Sequence, residues 1–431
     1  MKQPCRPSFV VVGLALAGAL GAMPLLAEVA TARPEEVGLS APRLSRIREA
    51  VARHVDAGAL SGAVTLVARR GRIAHLEAHG LMDVEARRPM AVDGVFRLAS
   101  MSKPITAVAV MMLVEEGRFD LTDPVSRFIP EFGDPKVAVA RPGGRGAAPG
   151  GRGRGGAAAP VDLVTASRAI TIQDLLTHTS GLMSGGLGNG QAGALATRGP
   201  QETLADYIPK LGAVPLDFQP GTLWRYSGLA GFDALGRVVE IVSGQSFDRF
   251  LRERLFDPLG MTDTGFTITP AIEPRLVTLY ARGQGGLQRS ADQSGLSSAT
   301  YFSGAGGLLS TARDYAQFAT MLVNGGALDG RRYLSPRTVA LMASNHTGEM
   351  VNGQLGRPAR GMGFGLGVQV VEDPVAAGMR VSTGAWGWAG AYGTNVQIEP
   401  AEQMVTIIMM QTSTPALQRD FENAVFQATV D

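Results

Sequence analysis

The sequence is poor in cysteine and in charge. Cys5 is the only cysteine in 431 residues, which excludes intramolecular disulfides, a thiol nucleophile in the body of the chain and cysteine-ligated metal sites. Charged residues make up 18% of the chain, compared with about 25% in a typical soluble domain. The net charge is only +2. With so weak a charge imbalance, we expect no nucleic-acid partner.

Histidine is also scarce, and its pattern indicates no catalytic base or metal site. The chain has five histidines. His75 and His79 flank Glu77 on a predicted strand, where residues four apart share a face but lie about 13 Å apart, so we expect no metal there. His178 lies in a polar, turn-like segment and is interpreted as a structural hydrogen-bonding group. No G-x-S-x-G elbow is present. We therefore expect a mechanism without a metal or cofactor.

The N-terminus has the composition of an export signal. Basic residues precede an apolar stretch from Phe9 to Leu26, and Ala30-Thr31-Ala32 follows as an A-x-A site, with Leu25-Leu26-Ala27 as the weaker alternative. This pattern predicts a signal peptide over residues 1–32 and an exported protein, periplasmic or secreted. A transmembrane anchor is the alternative, but the apolar stretch is short for a span. We expect no stable membrane insertion after cleavage.

Hydrophobic periodicity predicts an α+β fold whose antiparallel sheet is built from both ends of the chain. The predicted elements are a helix at 40–55, a hairpin at 63–68 and 73–78, a helix at 232–255, strands at 394–398 and 405–410, and a helix at 415–429. We assign 33–99 and 300–431 to an α/β sandwich domain and 100–299 to a mainly helical domain. Residues 141–160, rich in Gly, Ala, Arg and Pro, are predicted to be a disordered insertion.

The chemistry is concentrated at Ser100-Met101-Ser102-Lys103, which precedes an apolar helix at 105–114. Residues three apart on a helix share a face, so Lys103 can reach the Ser100 hydroxyl. Burial and the positive end of the helix dipole both favour a neutral lysine that can act as a base. The alternative is a helix cap by Ser100 with Lys103 in solvent.

Three blocks of sequence in this order carry a family resemblance. Phe96 to Lys103, Leu175-Leu176-Thr177-His178-Thr179-Ser180-Gly181-Leu182 and Trp224-Arg225-Tyr226-Ser227 resemble the serine β-lactamase-related superfamily, in particular class C β-lactamases and family VIII carboxylesterases. The resemblance extends from Pro34 to Gly390, except for the insertion. It implies a β-lactamase/transpeptidase-like fold, with terminal helices flanking the sheet and a helical domain inserted.

The resemblance also implies the roles of individual residues. Ser100 matches the nucleophile, Lys103 the lysine that activates it, and Tyr226 the tyrosine that moves the proton between nucleophile and leaving group. The backbone amides of Ser100 and Ala391 are the implied oxyanion hole. The substrate-binding box on the strand beside the site matches Trp388-Ala389-Gly390.

Two departures from the family pattern bear on the substrate. Gly228 stands where the family has the Asn of Y-x-N, and Trp388 stands where the third box has a cation. Groups that hold an acylamino side chain and a carboxylate are therefore missing. Trp388, together with Trp224 and Trp386, instead offers aromatic walls to a bound substrate. For Trp224 and Trp386, packing in the core is the alternative.

Three functional hypotheses follow. The favoured one is a serine hydrolase that forms an acyl-enzyme, a carboxylesterase acting on short-chain or aromatic esters, with a small-molecule ester or amide as its partner. The second is a class C-like β-lactamase or D-alanyl-D-alanine carboxypeptidase. The third is a cell-wall binding module with an idle pocket. The sequence predicts no oligomeric state.

Overall fold

The computed structural model describes residues 28–141, 160–354 and 360–431. Most of the predicted signal peptide and of the predicted insertion lies outside the described residues. An eight-stranded antiparallel sheet, in the order β12-β13-β14-β15-β16-β1-β2-β3, is the centre of the fold. The strands are β1 Gly62–Arg69, β2 Arg72–Asp83, β3 Arg88–Pro89, β4 Phe96–Arg97, β5 Lys136–Ala140, β6 Val161–Thr165, β7 Tyr280–Gly283, β8 Gly286–Arg289, β9 Leu309–Ser310, β10 Ala327–Leu328, β11 Arg331–Arg332, β12 Met362–Phe364, β13 Gln369–Val371, β14 Trp386–Ala389, β15 Asn395–Glu399 and β16 Met404–Met409.

Helices cover both faces of this sheet and fill the middle of the chain. They are α1 Ala41–Leu44, α2 Arg46–Asp56, α3 Lys103–Glu115, α4 Ile172–Leu176, α5 Leu187–Gly190, α6 Leu204–Leu211, α7 Ala230–Ser243, α8 Phe247–Leu251, α9 Asp257–Leu259, α10 Ala312–Val323, α11 Pro336–Met342, α12 Pro374–Ala377 and α13 Pro415–Phe426. The predicted α+β fold is confirmed, with a sheet drawn from both ends of the chain. The proposed division into two domains stays a prediction.

The two faces of the sheet bury different cores because successive strand residues point to opposite sides. On β1, Val64 and Leu66 join the main core with α3 and α10. Ala63 and Val67 join a second core with α2 and α13. The terminal helices therefore shield one face, and the helix that follows Ser100 packs on the other.

Two predicted helices are interrupted. The helix predicted at 40–55 is divided into α1 and α2 at Ser45. The helix predicted at 232–255 ends at Ser243, because Gly244 adopts a left-handed conformation with φ +72° and caps it; the chain resumes as α8 and a π turn over Arg252–Phe256. Periodicity alone does not register such a glycine cap.

The first described residues are attached to the sheet. Ala32 N–H donates to the Ile73 carbonyl at 2.9 Å, and Ile73 N–H donates to the Ala30 carbonyl at 2.8 Å. Val29 is buried and its amide donates to Gln317 Oε1. Cleavage after Ala32 would remove these contacts, whereas cleavage after Ala27 would keep them. Among the described residues, no helix combines the length and apolarity needed to cross a membrane.

Candidate active site

Ser100 lies in a tight turn that leads into a buried helix. The turn is a 3-10 helix over Ala99–Ser102, and α3 begins at Lys103. Ala99 has φ +46°, a left-handed conformation that is costly for any residue with a Cβ. This strained residue directly precedes the serine. The Tyr315 hydroxyl donates to the Met101 carbonyl at 2.9 Å, which helps to hold the turn.

The three residues predicted to be catalytic meet at the Ser100 hydroxyl. Tyr226 Oη donates to Ser100 Oγ at 2.7 Å, and Lys103 Nζ donates to the same oxygen at 3.3 Å. Lys103 Nζ also lies 5.0 Å from the centre of the Tyr226 ring. The Ser100 hydroxyl therefore lies between the Lys103 amine and the Tyr226 phenol. Either group, once deprotonated, is within hydrogen-bond distance to accept the serine proton.

Lys103 is held in place by the backbone. Its side chain is completely buried, and Nζ donates to the carbonyls of Gly228 at 2.8 Å and Ala305 at 2.9 Å. Carbonyls only accept, so both bonds use N–H groups and the remaining direction of Nζ faces Ser100 Oγ. The predicted alternative of a solvent-exposed lysine is wrong.

Asp233, in the first turn of α7, is a site residue that our sequence analysis missed. Its buried carboxylate accepts from Tyr301 Oη at 2.8 Å, Ser303 Oγ at 2.6 Å and Ala305 N–H at 3.0 Å. It therefore orders the segment whose Ala305 carbonyl holds Lys103. Burial raises its pKa, and the charge of Lys103 opposes that shift. The available signal was an acid between the apolar residues Phe232 and Ala234 of the helix.

The end of β14 lies against the Ser100 turn. A Cβ on Gly390 would lie 2.1 Å from the Leu98 carbonyl oxygen, so only glycine permits this approach. The Thr394 hydroxyl donates to the same carbonyl at 2.9 Å. Among the described residues, the amides of Ser100 and Ala391 donate no hydrogen bond, which leaves them available to a ligand.

An aromatic layer backs Tyr226. The ring of Trp388 lies 5.6 Å from Tyr226 and 5.2 Å from Phe364, and Trp224 stacks on Tyr226 at 6.4 Å, centre to centre. Trp388 is partly exposed, whereas Trp224 and Trp386 are 3% and 1% exposed. The predicted walls from Trp224 and Trp386 are therefore wrong: core packing accounts for both. Ala389 lies on the opposite side of β14 from Trp388, because strand residues alternate.

His178 lies at the centre of this aromatic layer. Its ring contacts those of Trp224, Tyr226, Phe232 and Phe364 at 4.7–5.9 Å, and Nδ1 accepts from the Ser227 amide at 3.3 Å. Complete burial, with a smaller effect of Lys103, keeps the pKa of His178 well below its usual range. This neutral, packed imidazole fits the predicted structural role.

A cavity of about 570 Å³ opens beside Gly228, whose carbonyl accepts from Lys103 Nζ. Tyr207 and Tyr301 contribute its aromatic surface, and Arg198 and Asp292 lie on its wall. None of the three tryptophans lines it. Asp233 also lines the cavity, and the other lining residues are small or apolar: Met183, Ala196, Gly228, Leu229, Ala230, Ser294, Gly295, Leu296, Ser297, Ser298 and Ser303.

The structure corrects the separation expected between the side chains of His75 and His79. Ligand atoms of His75, Glu77 and His79 all lie within 4.8 Å of one another. Backbone positions four apart on a strand are separated by about 13 Å, but the two long imidazoles lean towards each other across Glu77. This cluster is on the β2 strand, away from the Ser100 turn.

A serine hydroxyl bonded to a buried lysine and to a tyrosine, beside a cavity and two free amides, is the arrangement of a serine hydrolase. The sequence model of the family described as "Beta-lactamase" matches residues 47–429. The chain belongs to the beta-lactamase family, and it is a serine hydrolase of that family.

Individual relatives agree with this assignment. Protein Rv1367c of Mycobacterium tuberculosis is 38% identical over 83% of this chain and 87% of its own length. Esterase EstB of Burkholderia gladioli is 32% identical over 82% of this chain and 86% of its own length. Among solved structures, EstCE1, titled a hydrolase with promiscuous acyltransferase activity, is 27% identical and covers 89% of this chain and 99% of its own with a TM-score of 0.73.

Proposed function

We propose that this protein is a carboxylesterase that acts on neutral short-chain or aromatic esters through an acyl-enzyme. Ser100 Oγ attacks the ester carbonyl carbon while its proton passes to the Tyr226–Lys103 pair. The amides of Ser100 and Ala391 stabilise the resulting oxyanion. As the C–O bond breaks, Tyr226 returns the proton to the leaving alcohol. Water then attacks the acyl-enzyme by the same route and releases the acid.

The observation that carries the choice of ester is the absence of polar anchors at Gly228 and Trp388. No atom lies within 4 Å of the position that a Cβ on Gly228 would take, so the place of an anchoring amide is open space. Trp388 packs on Tyr226 where the family pattern has a cation. A neutral substrate is not penalised by the loss of these anchors, whereas a charged acylamino substrate is.

The esterase proposal is tested with p-nitrophenyl esters of increasing chain length. Hydrolysis is expected in the wild type and should vanish in Ser100→Ala. Ser344→Ala is the matched control, because that hydroxyl donates only to the Ala340 carbonyl on α11. Activity that survives in Ser100→Ala would refute the proposal.

A β-lactamase or D-alanyl-D-alanine carboxypeptidase is the second candidate, favoured by the intact Ser100, Lys103 and Tyr226 geometry. Nitrocefin turnover that rivals ester turnover would support it. Gly228→Asn restores the family's amide without a steric conflict at Cβ. If our proposal holds, this variant gains nitrocefin turnover and loses ester turnover. Failure of a fluorophosphonate to label Ser100 would favour an idle binding module instead.

We propose that the protein is exported after removal of an N-terminal signal. The contacts of residues 28–32 with β2 favour cleavage after Ala27 over cleavage after Ala32. Mass spectrometry of the protein recovered from the periplasm of an expressing bacterium tests both points. Intact protein confined to the cytoplasm would contradict export.

A further inference from the structure

A polar cluster on strand β2 has no part in the proposed ester chemistry. It consists of His75, Glu77 and His79, whose ligand atoms lie within 4.8 Å of one another. Thr65 of β1 faces them and is completely buried. The surrounding interface between sheet and helix is apolar elsewhere, with Val67, Ile47 and Val51 in its core.

A β-bulge sets the side of the sheet on which these three residues lie. The register between β1 and β2 shifts at Val67 and Ala68, so that His75, Glu77 and His79 pair with Val67, Thr65 and Ala63. Opposite residues of an antiparallel pair share a face, and Ala63 and Val67 face the core beneath α2. Ile73, before the bulge, faces the other core. Residues 75, 77 and 79 share a face by strand alternation, and the extra residue places this face on the opposite side of the sheet from Ile73.

The two imidazoles converge on one point. Thr65 Oγ1 lies 2.8 Å from His75 Nε2 and 3.4 Å from His79 Nε2, and His79 Nε2 lies 3.7 Å from a Glu77 carboxylate oxygen.

We propose that His75, Glu77 and His79 form a binding site for a divalent transition metal of the zinc type. Two imidazole nitrogens and one carboxylate oxygen are an established zinc donor set. Tetrahedral zinc with bonds of about 2.1 Å separates its ligands by about 3.4 Å, so closing from 4.8 Å requires only side-chain movement. Water or Thr65 Oγ1 takes the fourth position.

Arg48 of α2 shows that the cluster already attracts a cation. Its guanidinium donates to both oxygens of Glu77, at 2.8 and 3.1 Å. The Arg48 side chain is 68% exposed. It can therefore leave the Glu77 carboxylate and move into solvent without burying its charge. The metal and Arg48 therefore compete for Glu77. The site lies on the face of the sheet opposite to the core that packs α3, so the metal is structural and takes no part in ester hydrolysis.

Zinc titration by isothermal calorimetry tests the site. The experiment uses the full chain, untagged, stripped with EDTA and carrying Cys5→Ser so that no thiol competes. We expect one Zn²⁺ per chain and a higher melting temperature with zinc. The double variant His75→Gln/His79→Gln should weaken binding at least about 100-fold, whereas the control His54→Gln/His346→Gln should bind as the parent does.

Two surface variants keep the test decisive if the buried histidines cannot be replaced without unfolding. Arg48→Ala should tighten zinc binding by about twofold to fivefold because its competitor is gone, while Glu77→Gln should weaken it. Ester turnover should not change in either variant. A folded parent that binds no zinc, or binding unchanged in both variants, would overturn the proposal and leave the cluster as a hydrogen-bonded ion-pair network.

Discussion

Asp233 supports the site through its hydrogen bonds and through its charge, and two substitutions separate these effects. Its carboxylate accepts from Tyr301, Ser303 and Ala305. A hydrogen bond to a charged group contributes about 1.5–3 kcal/mol, and Asp233→Ala leaves three buried donors without an acceptor. The free energy of unfolding should therefore fall by about 4–8 kcal/mol, a large part of the ~5–15 kcal/mol typical of a folded domain.

Asp233→Asn retains most of these bonds. Ser303 and Ala305 both donate to Oδ1, which the amide oxygen can replace, while the Tyr301 hydroxyl can rotate and accept from the new NH₂ group. We expect a loss of only about 1–2 kcal/mol. Asn cannot carry the negative charge that Lys103 favours on Asp233, however, and a loss of about 1–2 kcal/mol of transition-state stabilisation would reduce kcat/KM about 5- to 30-fold.

Urea unfolding and ester kinetics measure these two quantities on the same preparations. Tyr301→Phe is the matched control: it removes one hydrogen bond from Asp233 and keeps the charge, so it should lower stability with a smaller effect on kcat/KM. The reasoning is refuted if Asp233→Ala is as stable as the wild type. It is equally refuted if Asp233→Asn and Tyr301→Phe have the same kcat/KM as the wild type.

Three further predictions concern stability. Burial raises the pKa of Glu399 to about 7, so the folded state holds a proton that the unfolded state loses near pH 4.5. Stability should therefore fall as the pH rises from about 4.5 to 7, by about 3 kcal/mol. Chemical unfolding at several pH values should show this slope in the wild type and not in Glu399→Gln; parallel profiles would contradict it. Ala99→Val should lower the free energy of unfolding by more than about 2 kcal/mol, because a β-branched residue is strongly disfavoured at positive φ, and an unchanged melting curve would show that the turn is not strained. Thr171 caps α4 in a full capping box with Asp174, so Thr171→Ala should cost about 1 kcal/mol in urea unfolding, while Thr171→Ser should be close to neutral.

Local sequence was informative where the relevant neighbours lie within a few residues. Ser100 and Lys103 are one helical turn apart, and the all-apolar helix behind them indicated that the lysine is buried. The hairpin at the start of the sheet and the final helix followed from periodicity. Helix capping shows the limit of a local pattern: Thr171-x-x-Asp174 forms a full capping box. In Thr311-x-x-Asp314 the hydroxyl accepts from the Asp314 amide, but the Asp314 carboxylate accepts from the Asp263 amide and the Thr264 hydroxyl instead.

The remaining features depend on contacts between distant parts of the chain. Tyr226 reaches Ser100 across 126 residues, so its place in the sequence analysis came from family resemblance and not from spacing. The tyrosine-lined cavity and the Asp233 network join segments that no local pattern connects.

By itself, the sequence determined the serine and lysine pair, because these residues are near neighbours, and its family resemblance indicated the hydrolase class and the missing polar anchors at Gly228 and Trp388. Tertiary structure alone decided the partners of Lys103, the burial of Trp224 and the convergence of His75 and His79. The physical reason is that a side chain's neighbours across a sheet or between helices are set by register. A single bulged residue in β2 was enough to decide which side of the sheet His75, Glu77 and His79 face.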